Sequence, residues 1–180
     1  MLIELLRNRR SIRRFTDQAV SKEDIDLLIE SALRSPSSKG NTPWEFLVIQ
    51  DKEMIRQLAQ TKPHGAAFLQ DAPLAIVVCA DPSKSDVWIE DASIAALLIH
   101  LAAADQGLGS CWVQTRLREH SAEMSSQNYL SQLLSLPKDL MAVAIIGIGH
   151  PQASKPGHDQ ATLLRDQVHM ETFKETFKKS

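Results

Sequence analysis

Cysteine is scarce in this chain of 180 residues. The two that occur, Cys79 and Cys111, lie in apolar stretches, outside any C-x-x-C pair and away from histidines at metal-ligand spacing. That argues against a metal site and reads as two buried free thiols, in keeping with a reducing cytoplasm. An excess of one charge is also missing. The formal net charge of −2 gives no bulk positive field to draw nucleic acid or an anionic membrane. Long apolar runs are absent: the best candidate, Ile94 to Ala104, is interrupted by His100 and is too short to span a bilayer. The opening MLIELLRNRR turns basic after its apolar residues, the reverse of a secretion signal. With no repeat, low-complexity tract or linker, residues 1–180 read as one domain. Apolar residues at 43% and charged residues at 23% suit a soluble globular protein with a real core.

Local patterns supply the elements. Leu2 to Asn8 reads as a short helix. Ser21 offers an N-cap hydroxyl with Asp24 three residues on, as in a capping box, and Ile25, Leu28, Ile29 and Ala32 follow at helical spacing until Pro36 stops the helix. Phe46 to Ile49 predicts a strand, Lys52 to Gln60 a helix, and the β-branched run Leu74 to Ala80 a buried strand. Ile89 to Gln106 is an Ala-rich helix apolar nearly all round, easier to bury at a subunit interface than inside a chain of this length. Gly107 and Gly109 end it. Ser110 to Gln114 reads as a strand, Ser125 to Ser135 as a helix and Met141 to Ile148 as a further buried strand. The last thirty residues carry no core pattern and suggest packing on a partner. These elements predict an α+β layer arrangement, with a doubly wound fold still open on pattern alone.

Two segments carry chemistry. In Arg9-Arg10-Ser11-Ile12-Arg13-Arg14-Phe15, an extended backbone would project Arg9, Ser11 and Arg13 from one face, two guanidinium forks and a hydroxyl suited to a phosphate. Taken alone, the same run is also a solvated basic patch or a nucleic-acid arm, although it lacks interleaved aromatics. Ser35-Pro36-Ser37-Ser38-Lys39-Gly40-Asn41-Thr42-Pro43-Trp44 is a loop of small residues and prolines whose hydroxyls and amide could line a flat heterocycle, or form a plain turn after a helix.

Together the two segments resemble the nitroreductase family of flavoproteins. Further matches come in order: Trp88 to Ala96 is similar to the start of the family's central helix, Gly107 to Val113 to its following strand, and Ile146 to Pro151 to its last core strand and exit turn. The resemblance implies an α/β/α sandwich with a mostly antiparallel central sheet and flanking helices. It implies a homodimer with FMN held non-covalently between the subunits and a C-terminal extension over the partner. Arg9, Arg10, Ser11 and Arg13 should hold the phosphate, ribityl chain and pyrimidine edge. Pro36, Ser37 and Ser38 should reach the flavin of the other subunit, and Asn41 should contact the ring. Val113, Gln114 and Thr115 should offer backbone beside it. Many relatives complete the phosphate site with a C-terminal basic pair; here Arg165 is the candidate nearby. His169 reads as a packing or capping residue.

The activity implied is hydride transfer from NADH or NADPH, through flavin N5, to an electron-poor small molecule such as a nitroaromatic or quinone, with no catalytic side chain required. His64, Phe68 and Trp88 are candidates to line the substrate channel, against an ordinary surface or core role. The lid-forming insertion of larger relatives is missing. Other readings on the same fold are a flavin-binding module or a dehalogenase-like flavoprotein.

Overall fold

A computed structural model describes residues 1–173. In chain order the elements are α1 (Leu2–Asn8), α2 (Lys22–Leu33), β1 (Trp44–Ile49), α3 (Lys52–Leu58), β2 (Leu74–Ala80), α4 (Trp88–Asp105), β3 (Gly109–Gln114), α5 (Ser126–Leu134) and β4 (Met141–Gly149). Short 3₁₀ turns at Ser38–Gly40, Ala67–Asp71, Gln160–Thr162 and Arg165–Gln167 complete the set.

Side-chain caps fix several starts. Ser21 accepts the Asp24 amide at 3.0 Å and Asp51 accepts that of Met54 at 2.8 Å. Ser125 accepts the Asn128 amide at 3.1 Å. Each satisfies one donor that the first helical turn leaves free. At Ser21 the reciprocal half of the expected capping box differs: the Ser21 hydroxyl itself donates to the Asp24 carboxylate at 2.8 Å.

The four strands form one sheet in the order β1-β2-β4-β3, with every neighbouring pair antiparallel. That excludes the doubly wound alternative, whose sheet is parallel. Strand β2 is buried along its whole length because both faces are covered. Leu74, Ile76 and Val78 point into one core with Leu28 of α2 and Ala92, Ala96 and Ile99 of α4. Ala75, Val77 and Cys79 point into a second core with Ile55 and Leu58 of α3 and Leu130 of α5. The period of two along one strand thus builds a three-layer α/β/α sandwich.

The β2–β4 register slips between Val78 and Cys79, which face Ala144 and Ala142. Val143 is the extra residue of this bulge. Its carbonyl turns toward the end of β3 and receives the Thr115 and Arg116 amides.

Helix α4 buries Asp91, Ala92, Ala95, Ala96, Ile99, His100 and Ala103 against the sheet, α2 and the loops at its ends, and exposes Ile94 and Leu97 one turn apart. Helix α1 buries none of its residues and exposes Leu2, Ile3 and Leu6. Beyond β4 the chain runs over the surface, with Leu163, Leu164, Val168 and Met170 exposed. None of the helices formed by the described residues is long and apolar enough to cross a membrane.

Candidate functional site

The arginine-rich segment is extended, as its alternation requires. After α1 the chain leaves helical geometry at Arg9 (φ −61°, ψ 131°) and lies alongside β3. Ser11 bridges Ser110 in parallel, and the Ile12 amide donates to the Ser110 carbonyl at 3.0 Å. The segment then crosses the end of β4, where Phe15 pairs with Pro151 and the Thr16 amide donates to the His150 carbonyl at 2.9 Å. Two glycines make room for this path. A Cβ on Gly109 would stand 2.8 Å from Ile12, and one on Gly149 would stand 2.5 Å from Pro73 and 3.1 Å from Phe15.

Side chains alternate along the extended stretch. Ile12 packs over Gly109. Ser11, on the opposite side, lies beside the Cys111 thiol, with Arg13 and Lys155 close enough to act on it electrostatically. Burial pushes the Cys111 thiol up, and the Arg13 charge and the Ser11 hydroxyl only partly oppose that. Arg9 lies near His100 of α4, whose Nδ1 is 2.7 Å from the Ser110 hydroxyl and whose ring stacks on Trp112 with centroids 6.2 Å apart. Burial, then the Arg9 charge, lowers the His100 pKa to about 4, so the ring is neutral at physiological pH.

Arg10 projects away from this face and donates to the Pro156 carbonyl, tethering the segment that follows β4. A cleft of about 290 Å³ is lined by Arg9, Arg10, Ser110, Ser154 and Lys155, with Leu5 and Ala104 as apolar walls; of the predicted phosphate set, Ser11 and Arg13 do not line it and lie instead on the Cys111 side. Among the described residues, Arg9, Arg13 and Lys155 form no ion pair with a carboxylate. Guanidinium and ammonium groups gathered beside backbone amides and hydroxyls, with no acid to neutralise them, are a donor set for a phosphate. Lys155 has no distinguishing sequence signal; it is one lysine in a Ser/Pro/Gly stretch. Arg165, assigned that role by resemblance, is half-buried in a 3₁₀ turn and does not line this cleft.

The serine-rich loop is built at the other end of α4. Asp91, in the first turn, is 3% exposed. One of its oxygens accepts the Ser38 amide and the other the Ser85 hydroxyl, each at 2.9 Å. Ser37 accepts the Thr42 amide at 2.9 Å, closing the loop on itself. Lys39, Gly40 and Thr42 take positive φ within it. Pro36 and Asn41 are consequently exposed, and Ser37 and Ser38 half-exposed. Asp91 and Ala104, which mark the two sites along α4, are separated by about 20 Å of helix at 1.5 Å per residue.

At the end of β3, Val113 and Thr115 are buried and Thr115 spends its hydroxyl on the Ala142 carbonyl at 3.2 Å. Gln114 accepts from the Trp112 indole and donates to the Arg116 carbonyl, both at 3.0 Å. The Thr115 backbone is likewise engaged, its amide donating to the Val143 carbonyl at 3.4 Å and its carbonyl accepting from the Arg118 amide at 3.1 Å. Of the candidate channel residues, His64 is exposed, Phe68 sits 6.5 Å from Phe15 across tilted rings, and Trp88 lies beneath the Arg116 guanidinium at 5.6 Å.

An α/β/α sandwich with an antiparallel sheet and a cation-lined cleft where the N-terminal segment meets β3 defines the class: an α+β protein with a cationic cleft at one end of its central helix. Comparison with known proteins narrows it. The profile described as "Nitroreductase family" matches residues 6–62 and 57–150. An FMN-dependent nitroreductase from Clostridium difficile R20291 superposes with a TM-score of 0.93 at 44% identity, covering 95% of this chain and 99% of that one. A nitroreductase family protein from Clostridium difficile 630 has a TM-score of 0.78 at 28% identity, over 94% and 98% of the two chains. An FMN reductase [NAD(P)H] from Bacillus subtilis is 27% identical over 207 aligned positions, covering 97% of this chain and 80% of that one. The chain belongs to the nitroreductase family.

Proposed function

We propose that this protein is an FMN-dependent NAD(P)H oxidoreductase that passes a hydride to an electron-poor small molecule and works as a homodimer. Relatives named as an FMN-dependent nitroreductase and an FMN reductase [NAD(P)H] support the cofactor and the donor. One observation of this chain carries the site. Uncompensated cations and a loop that exposes the Ser38 hydroxyl and the Asn41 amide lie at opposite ends of α4, about 20 Å apart along its axis. They converge on one ligand when the loop comes from a second copy. The exposed apolar stripe Ile94–Leu97, the uncovered face of α1 and the apolar C-terminal segment supply the surface for that pairing.

The donor set fits FMN. Arg9, Ser11 and Arg13, with Lys155 beside them, would hold the phosphate and the pyrimidine edge. Arg10 takes part by fixing the backbone around Pro156. Pro36, Ser37, Ser38 and Asn41 of the second copy would close over the ring, and the backbone at Val113, Gln114 and Thr115 would border it. Arg165 remains a candidate contact across the dimer. When bound, the flavin supplies the hydride chemistry at its N5. The protein's own work is to bind and orient it, to keep cationic charge near its polar edge, and to exclude water with the apolar surfaces of the pair. His100, held neutral, leaves the positive charge of the cleft to the arginines and Lys155. We take residues 1–180 as one domain and the cytoplasm as its setting.

The purified protein is expected to be yellow, with absorption bands at about 370 and 450 nm from the oxidised cofactor. It should elute in gel filtration near twice its 20.0 kDa chain mass and turn over NADPH with menadione or nitrofurazone. A flavin-loaded monomer would end the shared-site reading; a flavin-loaded dimer without turnover would leave a binding module instead.

A further inference from the structure

A second cationic pair stands apart from the cleft. Lys62 lies in the turn after α3, and Arg118 in the loop between β3 and α5. One buried residue sets the backbone beside both. The Ser126 hydroxyl donates to the Thr61 carbonyl at 2.9 Å, and the Ser126 amide donates to the Arg118 carbonyl at 2.9 Å. Thr61 and Ser126 are both fully buried. The same two loops are braced again: the His120 ring nitrogen donates to the Gln60 carbonyl at 2.7 Å, and His120 stacks on Tyr129 with centroids 4.1 Å apart. The Tyr129 hydroxyl in turn donates to the Gln57 carbonyl at 2.9 Å. Gly65, at φ +79°, lets the Lys62 side chain fold back over the turn, with its ammonium 3.8 Å from where a Cβ would be.

The bracing fixes side by side the two backbones that carry these like charges, and Arg118 keeps one guanidinium nitrogen on the Leu117 carbonyl at 2.8 Å with the rest of its fork open. Neither Lys62 nor Arg118 forms an ion pair with a carboxylate among the described residues, and the neighbouring Glu119 makes none with them. Burial and then the Arg118 charge lower the Lys62 pKa, so the pair is under electrostatic tension that an anion would relieve. Val113, on the same face of β3 as Cys111, packs with Leu58 of α3 and Leu130 of α5, and those two helices flank Lys62 and Arg118; the pair therefore lies on the Cys111 side of β3, the side of the proposed cofactor site.

We propose that Lys62 and Arg118 form a second anion subsite that engages a phosphate or carboxylate on the substrate, so that this enzyme discriminates by substrate charge. The inference rests on the FMN reading for its setting. Two sources carry that chemistry: the extra ribose phosphate of NADPH and an acidic group on the acceptor.

The experiment measures KM for NADPH and NADH, and for 4-nitrobenzoate and 4-nitrobenzyl alcohol, in wild type and in Lys62→Gln, Arg118→Gln and the double variant. These substitutions leave the Ser126 and His120 braces in place, and a melting curve verifies that. We expect the double variant to shift the KM ratio of the more anionic to the less anionic member by about tenfold, the loss of at least one charged hydrogen bond. A shift confined to the nucleotides assigns the subsite to the donor phosphate; a shift confined to the nitro compounds assigns it to the acceptor carboxylate. Unchanged ratios, or equal losses in both members of each pair, overturn the proposal. Loss of flavin alongside the shift also overturns it, because the pair would then belong to the cofactor. If the wild type itself never holds flavin, the FMN reading has failed separately. Equilibrium binding of NADPH against NADH to the same proteins then decides the subsite, an unaltered Kd ratio counting against it.

Discussion

The buried Asp91 carboxylate and the Ser38 amide are joined by a 2.9 Å hydrogen bond that ties the serine-rich loop to the first turn of α4. Removing it strands the Ser38 amide and the Ser85 hydroxyl together. Asp91→Ala should therefore destabilise the protein by about 2 kcal/mol, the range for a hydrogen bond to a charged group. It should also weaken flavin retention, since the loop loses its anchor. Urea unfolding and flavin content measure the two effects; an unaltered midpoint would show that the carboxylate is not the anchor.

The pH dependence of stability should carry the signature of His100. Its folded pKa is lowered to about 4, whereas in the unfolded chain it titrates near the ordinary 6.5. Between those values the unfolded state takes up a proton that the folded state refuses. Stability present at neutral pH is thus lost as pH falls through that window, by up to roughly 3 kcal/mol. His100→Gln removes the titration, so its stability at pH 4.5 should fall less far below that at pH 7 than the wild type's does. Identical pH profiles for the two proteins would count against this.

Gly109 should not tolerate a methyl group. A Cβ there meets Ile12 at 2.8 Å, and the clash is with the root of a β-branched side chain that cannot swing away. Gly109→Ala should cost about 1–3 kcal/mol by overpacking. It should also displace the backbone that aims Arg9, Ser11 and Arg13, so flavin affinity should fall by more than the stability loss explains. Fluorescence titration with FMN checks this, and full affinity in a destabilised variant would contradict it.

The paired substitution of Arg9 and Arg13 by Ala should give a folded, colourless protein. Both side chains are at least partly exposed and unpaired with carboxylates among the described residues, so their loss removes little from the core. Stoichiometric flavin in the purified variant would refute the phosphate assignment, and circular dichroism separates that from misfolding.

Much of the secondary structure was legible because its causes are local. Ser21 and Ser125 announce their helices through their own hydroxyls, and the unbroken apolar run of β2 announces a strand covered on both faces. The strand order was not legible. It depends on β2 choosing β4 across more than sixty residues, with a slip at Val143 that no short pattern encodes. The extended Arg9–Arg13 stretch was readable from its alternation, yet its seat beside β3 depends on Gly109 and Gly149 yielding space, a tertiary fact. Lys155 escaped notice because its role comes from where the chain returns after β4. Nor could sequence show that Val113 and Thr115 turn inward; burial decides that.

The distance along α4 has a further consequence. If each catalytic centre borrows its cationic half from one polypeptide and its serine-rich half from the other, two differently crippled polypeptides can repair each other. Protein lacking Arg9 and Arg13, refolded with protein whose loop has been untethered at Asp91, would form mixed pairs in which one centre inherits both defects and the other inherits neither. Colour and turnover would then rise above those of either preparation alone, up to about half of normal per mixed pair, a form of complementation open only to an enzyme whose working unit is assembled from interchangeable halves.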